Sequence, residues 1–208
     1  MLLSLPISLA LATACAPQVA PQTLLAIVQV ESGFDPLAIG VNGAPNLTPR
    51  PRTAGEAAAT ARALIGVGRS IDLGLAQLNS RNLAALGVTI DQAFDPCRNL
   101  AAAARLLQAN YAAALAEQPA GQAALRAALS RYNTGHPTRG LSNGYVAKVA
   151  AAVPALAPAP LTPPQTLASA PEPEAPAPAW DVFARAPASG GLLIRLAGPG
   201  SKSAGDSR

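Results

Sequence analysis

Residues 95–118 read DPCRNLAAAARLLQANYAAALAEQ, and this stretch restricts the fold more than any other. Asp95 followed by Pro96 has the form of a helix cap and first turn, because proline lacks the N–H that a first turn leaves unpaired. The run behind it is built mainly of alanine and leucine, and alanine has the best helix propensity. Such a helix fills its apolar side only if neighbouring helices approach closely. The rest of the chain offers the same material: 50% of its residues are hydrophobic but only 3% are aromatic, which leaves little of what strands prefer. The expectation is an all-α, or nearly all-α, domain.

Further punctuation divides the chain. Pro21 suits a first helical turn, and Thr53-Ala54-Gly55-Glu56 reads as a capping box before AAATARALIGVG. Ser80 is a cap for RNLAALG, closed by Gly87. GQAALRAALSRY stops at Asn133-Thr134-Gly135, and a last helix is expected from Gly144 to Val153. Residues 35–51, rich in Gly, Asn and Pro, read as a long ordered loop. After Val153 the composition turns to PALAPAPLTPPQTLASAPEPEAPAPA, which packs neither as helix nor as sheet and reads as an extended linker over 154–179. Residues 180–208 read as a disordered tail, with WDVFARA at Trp180 as a docking peptide for a partner or a remnant without consequence.

The first fourteen residues are apolar and end in Ala12-Thr13-Ala14, a pattern suited to signal peptidase, yet no Lys or Arg precedes them. Export signal and first helix of the domain both fit, with the domain proper over 15–153. Two cysteines, Cys15 and Cys97, favour one disulfide across a long loop if the chain leaves the cytoplasm; two buried thiols are the alternative. A single histidine, His136, without a Cys/His cluster gives no zinc site, and neither a metal nor a cofactor is expected. The net charge of +4 comes from 12% charged residues with no dense basic block, so a nucleic-acid partner is not expected. Mild positive charge is compatible with an anionic polymer such as a cell wall.

One carboxylate stands out. In LLAIVQVESGFDP, Leu24, Ile27, Val28 and Glu31 share one helix face at i, i+3, i+4 and i+7, and that face is otherwise apolar. A glutamate in a last turn opposes the helix dipole, so Glu31 is poorly placed for a decorative surface charge. Burial disfavours its charged form, raises its pKa and suits it to donate a proton near neutral pH. Three segments join it: Gln77 and Asn79 in DLGLAQLNS, Tyr132 and Asn133 in SRYNTG, and Tyr145 in NGYVAKV. Amides and phenols around a carboxyl group are what a carbohydrate groove collects. Asp35, before Pro36, reads as a turn former, and Asp72 as a cap for a short helix carrying Gln77.

The ordered set ESGFDPLAIGVN, DLGLAQLNSRNL, DPCRNL, YNTG and GYVAKV resembles the lytic transglycosylases of bacterial type IV secretion and conjugation systems, within the soluble lytic transglycosylase superfamily and related in fold to goose-type lysozyme. The resemblance spans about residues 15–153. It implies a lysozyme-like helical domain in the periplasm that cleaves the β-1,4 bond between N-acetylmuramic acid and N-acetylglucosamine in peptidoglycan glycan strands. It also implies Glu31 as the acid/base and a 1,6-anhydro product formed without water. Gln77, Asn79, Asn133 and Tyr145 would hold the sugar, with Tyr132 close to the acid, and secretion components are the implied partners of the tail. Ala76 stands where the family has methionine, which removes a flexible contact from the groove. A hydrolytic muramidase on the same fold and a non-catalytic peptidoglycan-binding assembly subunit are the alternatives.

Overall fold

The computed structural model describes residues 1–43 and 50–156. In chain order these form α1 (Leu5–Cys15), α2 (Pro21–Glu31), β1 (Ile39–Val41), α3 (Ala54–Gly66), β2 (Ile71–Leu73), β3 (Leu78–Asn79), a 3-10 turn (Ser80–Asn82), α4 (Ile90–Ala93), α5 (Pro96–Leu115), α6 (Gln122–Thr134), α7 (Arg139–Ser142) and α8 (Tyr145–Leu156). The linker and docking-peptide expectations for 157–208 lie outside the described residues.

Helix starts follow the local chemistry. Asp95 Oδ1 accepts the Arg98 N–H at 2.8 Å and opens the 20-residue α5. Thr53 Oγ1 accepts the Glu56 N–H at 3.2 Å, while the Glu56 carboxylate reaches back to the N–H of Arg52 at 2.8 Å, one residue earlier than a capping box requires. A complete capping box stands at Thr89 and Gln92 instead.

The core forms around α2. Leu24, Leu25, Ala26, Ile27 and Val28 expose no surface, so this helix is enclosed on all sides over that turn and not on one face alone. It packs on α8 and α1, while α5 packs on α6 and α1. Ala102, Ala103 and Ala104 of α5 and Ala124 and Ala128 of α6 are buried, the small side chains that let helices approach closely.

Of residues 1–14, read as export signal or first helix, those from Leu5 onward lie in α1. Ala12 and Ala16 are fully buried, and the Leu3 N–H donates to Phe34 O at 2.9 Å. Cys15 at the end of α1 is joined to Cys97 in the first turn of α5, with Cα atoms 5.4 Å apart. At the other end, α8 runs past Val153 to Leu156, which is buried.

Two local expectations are corrected. Asp72–Ser80 is not a short helix: it contains a hairpin, with β2 between β1 and β3 in an antiparallel sheet registered Gly40 to Asp72 and Asp72 to Asn79. Gly74 at φ 72° and Gln77 at φ 49° force the turn, since left-handed residues break a helix. Ser80 also caps no helix through Gly87. The Asn79 side chain accepts the Arg81 N–H at 3.0 Å and opens only the 3-10 turn, whereas Ser80 Oγ accepts the Ile71 N–H at 3.2 Å.

Candidate active site

Glu31 is the last residue of α2, where the chain leaves through Gly33 and Phe34, both at positive φ. The hairpin is fastened against that helix end. Ser32 Oγ donates to Leu75 O at 2.7 Å, and Tyr132 Oη from α6 donates to Ala76 O at 2.7 Å. Behind the turn, the buried side chain of Asn99 accepts the Ala76 N–H and donates to Leu73 O and Ala93 O. Gly74 is required there: a Cβ would lie 2.3 Å from Ala93 O and 2.5 Å from Asn99 Nδ2. Ala76 is fully buried.

The result is a carboxyl group between two cavities. One, of about 520 Å³, is lined by Glu31, Asp72, Gln77, Asn79, Tyr132 and Asn133 among others. The other, of about 210 Å³, shares Glu31 and Gln77 and continues past Asp35, Gly40 and Arg50. Glu31 and Gln77 line both cavities.

Glu31 is half-buried, and Tyr145 Oη at the start of α8 donates to its Oε1 at 2.6 Å. Burial pushes this carboxyl from 4.5 up to about 7; the Tyr145 hydrogen bond opposes the rise, and the Asp72 charge adds a smaller increment. Burial also raises Asp72, against the hydrogen bonds from Asn79 and Asn42. Both phenols are pushed upward, first by burial and then by the charge of Glu31, so Tyr145 stays protonated and remains a donor to the carboxylate.

All the residues named from the sequence come together here, in arrangements their types did not announce. Tyr145 meets the acid itself, and Tyr132 anchors the hairpin carbonyl. Gln77 spends its amide N–H groups on Gly74 O at 2.8 Å and Ala38 O at 3.3 Å. Its Oε1 lies over Gly40, where a Cβ would stand 2.7 Å away; this oxygen is the part of Gln77 left to accept from a ligand. Asn79 Nδ2 donates to Asp72 Oδ1 at 2.7 Å, between residues paired in the sheet. Asp35 is a turn former, accepting the Leu37 N–H at 3.0 Å. Ser32 and Asn99 were missed. Only Ser32, directly after the acid, carried a local signal.

Residues 8–151 match the Transglycosylase SLT domain family. The chain belongs to this family. It is 48% identical over 149 residues to the type IV secretion system protein virB1 of Brucella abortus biovar 1, an alignment covering 69% of this chain and 62% of that protein. It is 46% identical over 151 residues to protein virB1 of Rhizobium radiobacter, covering 73% and 62%. For protein virB1 of Agrobacterium fabrum the figures are 46% over 148 residues, 71% and 59%. The chain thus spans less than two thirds of the length of these relatives. No solved structure matches it.

Proposed function

We propose that this chain is a periplasmic lytic transglycosylase that opens peptidoglycan for a type IV secretion or conjugation apparatus. The observation that carries the reading is Glu31: one carboxyl group raised to about 7, held by Tyr145, at the junction of two cavities. Family membership and the virB1 relatives support the substrate and the setting.

A glycan strand lying through both cavities brings its β-1,4 oxygen over Glu31. Protonated near neutral pH, the acid gives its proton to the leaving oxygen as the bond to the N-acetylmuramic acid anomeric carbon breaks. The 2-acetamido group stabilises that carbon from within the substrate. The resulting Glu31 carboxylate, still bonded by the Tyr145 phenol, takes the proton from the 6-hydroxyl as its oxygen closes the 1,6-anhydro ring. Proton and bond counts balance without water. Gln77 Oε1 and the Asn133 amide, both on the cavity wall, would hold hydroxyl and acetamido groups. The tail carrying Trp180 is ascribed to capture of secretion components.

Asp72 favours a second reading. It lines the same cavity as Glu31 and raises that acid's pKa, and two carboxyl groups across a sugar site are the usual arrangement for hydrolysis. Digestion of purified sacculi followed by mass spectrometry decides between them. Anhydro-muropeptides are expected; reducing ends, heavier by one water, would make the protein a muramidase, and intact sacculi would remove both enzymatic readings.

A further inference from the structure

Three hydrogen bonds run in series behind the acid. Tyr145 Oη donates to Glu31 Oε1 at 2.6 Å, the Tyr145 N–H donates to Asn143 Oδ1 at 2.9 Å, and Asn143 Nδ2 donates to Asn133 Oδ1 at 2.9 Å. Asn143 therefore has one end on α8, which carries the tyrosine, and the other on α6, which carries a cavity-lining amide. α6 also meets α7 (Arg139–Ser142), the short helix just before Asn143, at close range. Ser130 Oγ accepts the Gly140 N–H at 2.8 Å and donates to His136 O at 2.6 Å, and a Cβ on Gly140 would lie 2.6 Å from Ser130 Cα.

We infer that Asn143 is a positioning residue of the active site, which fixes the Tyr145 phenol on Glu31 through one end of its amide and orients the amide of Asn133 through the other. It reaches the acid only through Tyr145. This assignment rests on the lytic reading of the same cavity and adds a coupling that neither Tyr145 nor Asn133 supplies alone.

The second half of the assignment has a chemical consequence. With its Oδ1 held by Asn143, Asn133 keeps its N–H pair for the cavity, so it presents a donor and selects an acceptor such as an acetamido carbonyl. A freely rotating asparagine would present either end. The first half concerns the acid. A phenol that donates to the ionised carboxyl lowers its pKa, so loosening Tyr145 should let Glu31 rise further. The groups facing Glu31 are Tyr145 from α8, Tyr132 from α6 and Asp72 from β2, with Asp35 and Arg50 in the smaller cavity and Arg131 farther along the larger one. Asn143 carries no charge, so its removal alters this set only through geometry.

The test uses the full-length protein with Asn143→Ala and Asn143→Ser. Serine keeps an acceptor for the Tyr145 N–H and is too short to bridge to Asn133. On soluble glycan strands of defined length, Asn143→Ala should lower kcat by about ten- to a hundredfold, raise KM through the released Asn133 amide, and shift the alkaline limb of the pH profile upward. Asn143→Ser should return the limb to its wild-type position while KM stays raised. Carboxyl carbon NMR titration of Glu31 supplies a readout independent of turnover, with a higher pKa expected in the alanine variant than in wild type or the serine variant. A wild-type Glu31 titration and pH limb in Asn143→Ala, with any loss explained by a lower Tm, would overturn the assignment. Wild-type protein that cleaves nothing would overturn the lytic reading instead, and the titration would still decide the role of Asn143.

Discussion

A carboxyl group held near 7 destabilises the fold whenever it is ionised. Because the folded-state pKa of Glu31 lies above its ordinary value of 4.5, the folded protein binds the proton more tightly. Its contribution to stability is fully present below about 4.5 and is lost as pH rises through about 7. Asp72, also raised, acts in the same direction. Glu31→Gln should therefore abolish sacculus lysis, a loss of about two to four orders of magnitude, yet raise stability at pH 8 by on the order of 1–3 kcal/mol and leave it nearly unchanged at pH 4. Lysis assays with urea titrations at the two pH values check both halves; retention of more than half the activity would take Glu31 out of the mechanism. Tyr145→Phe makes the complementary case. It removes the one hydrogen bond that lowers the Glu31 pKa, so the alkaline limb of activity should move to higher pH while the maximal rate falls by about tenfold. An unmoved limb would mean that the phenol does not bond the acid in solution.

Between elements, the fold depends on a few ties that cross long stretches of chain. The Cys15–Cys97 bond closes α1 onto α5 over 82 residues, and a double Cys→Ser variant should lose roughly 2–4 kcal/mol in urea unfolding. No loss would mean that helix packing alone holds α1. Features of this kind explain what the sequence disclosed. Asp95, Thr53 and the apolar run ending at Glu31 were legible because caps and helical periods are written within a few residues. The sheet was not, since strands of two or three residues are too short to show an alternation. Asn99 looks like one polar residue in an alanine run, and nothing nearby signals that it clamps backbone groups of residues 73, 76 and 93. Glu31 and Tyr145 could each be named from the sequence. Their contact, across 114 residues, could not.

At the scale of the whole chain, the open question is how much of it the chemistry needs. Every core and cavity residue named above lies at or before Leu156, and the family match covers residues 8–151. The composition break lies at Pro154, but α8 runs on to Leu156, whose buried side chain belongs to the core. The two places to cut are therefore not equivalent. A chain ending at Leu156 should keep both its Tm and its rate of sacculus lysis, because no buried side chain is lost. A chain ending at Val153 gives up the packing of Leu156 and the last turn of α8, and should be destabilised by about 1–3 kcal/mol with lysis preserved at low temperature. In cells the Leu156-ended chain and full-length Trp180→Ala should both impair secretion if the tail captures the apparatus, while each still cleaves peptidoglycan in vitro. Thermal melts and lysis rates of the two truncations measured side by side provide the check. A large drop for the chain ending at Leu156 would mean that residues beyond it take part in catalysis or stability, and the reading of residues 154–179 as an extended linker would have to be abandoned.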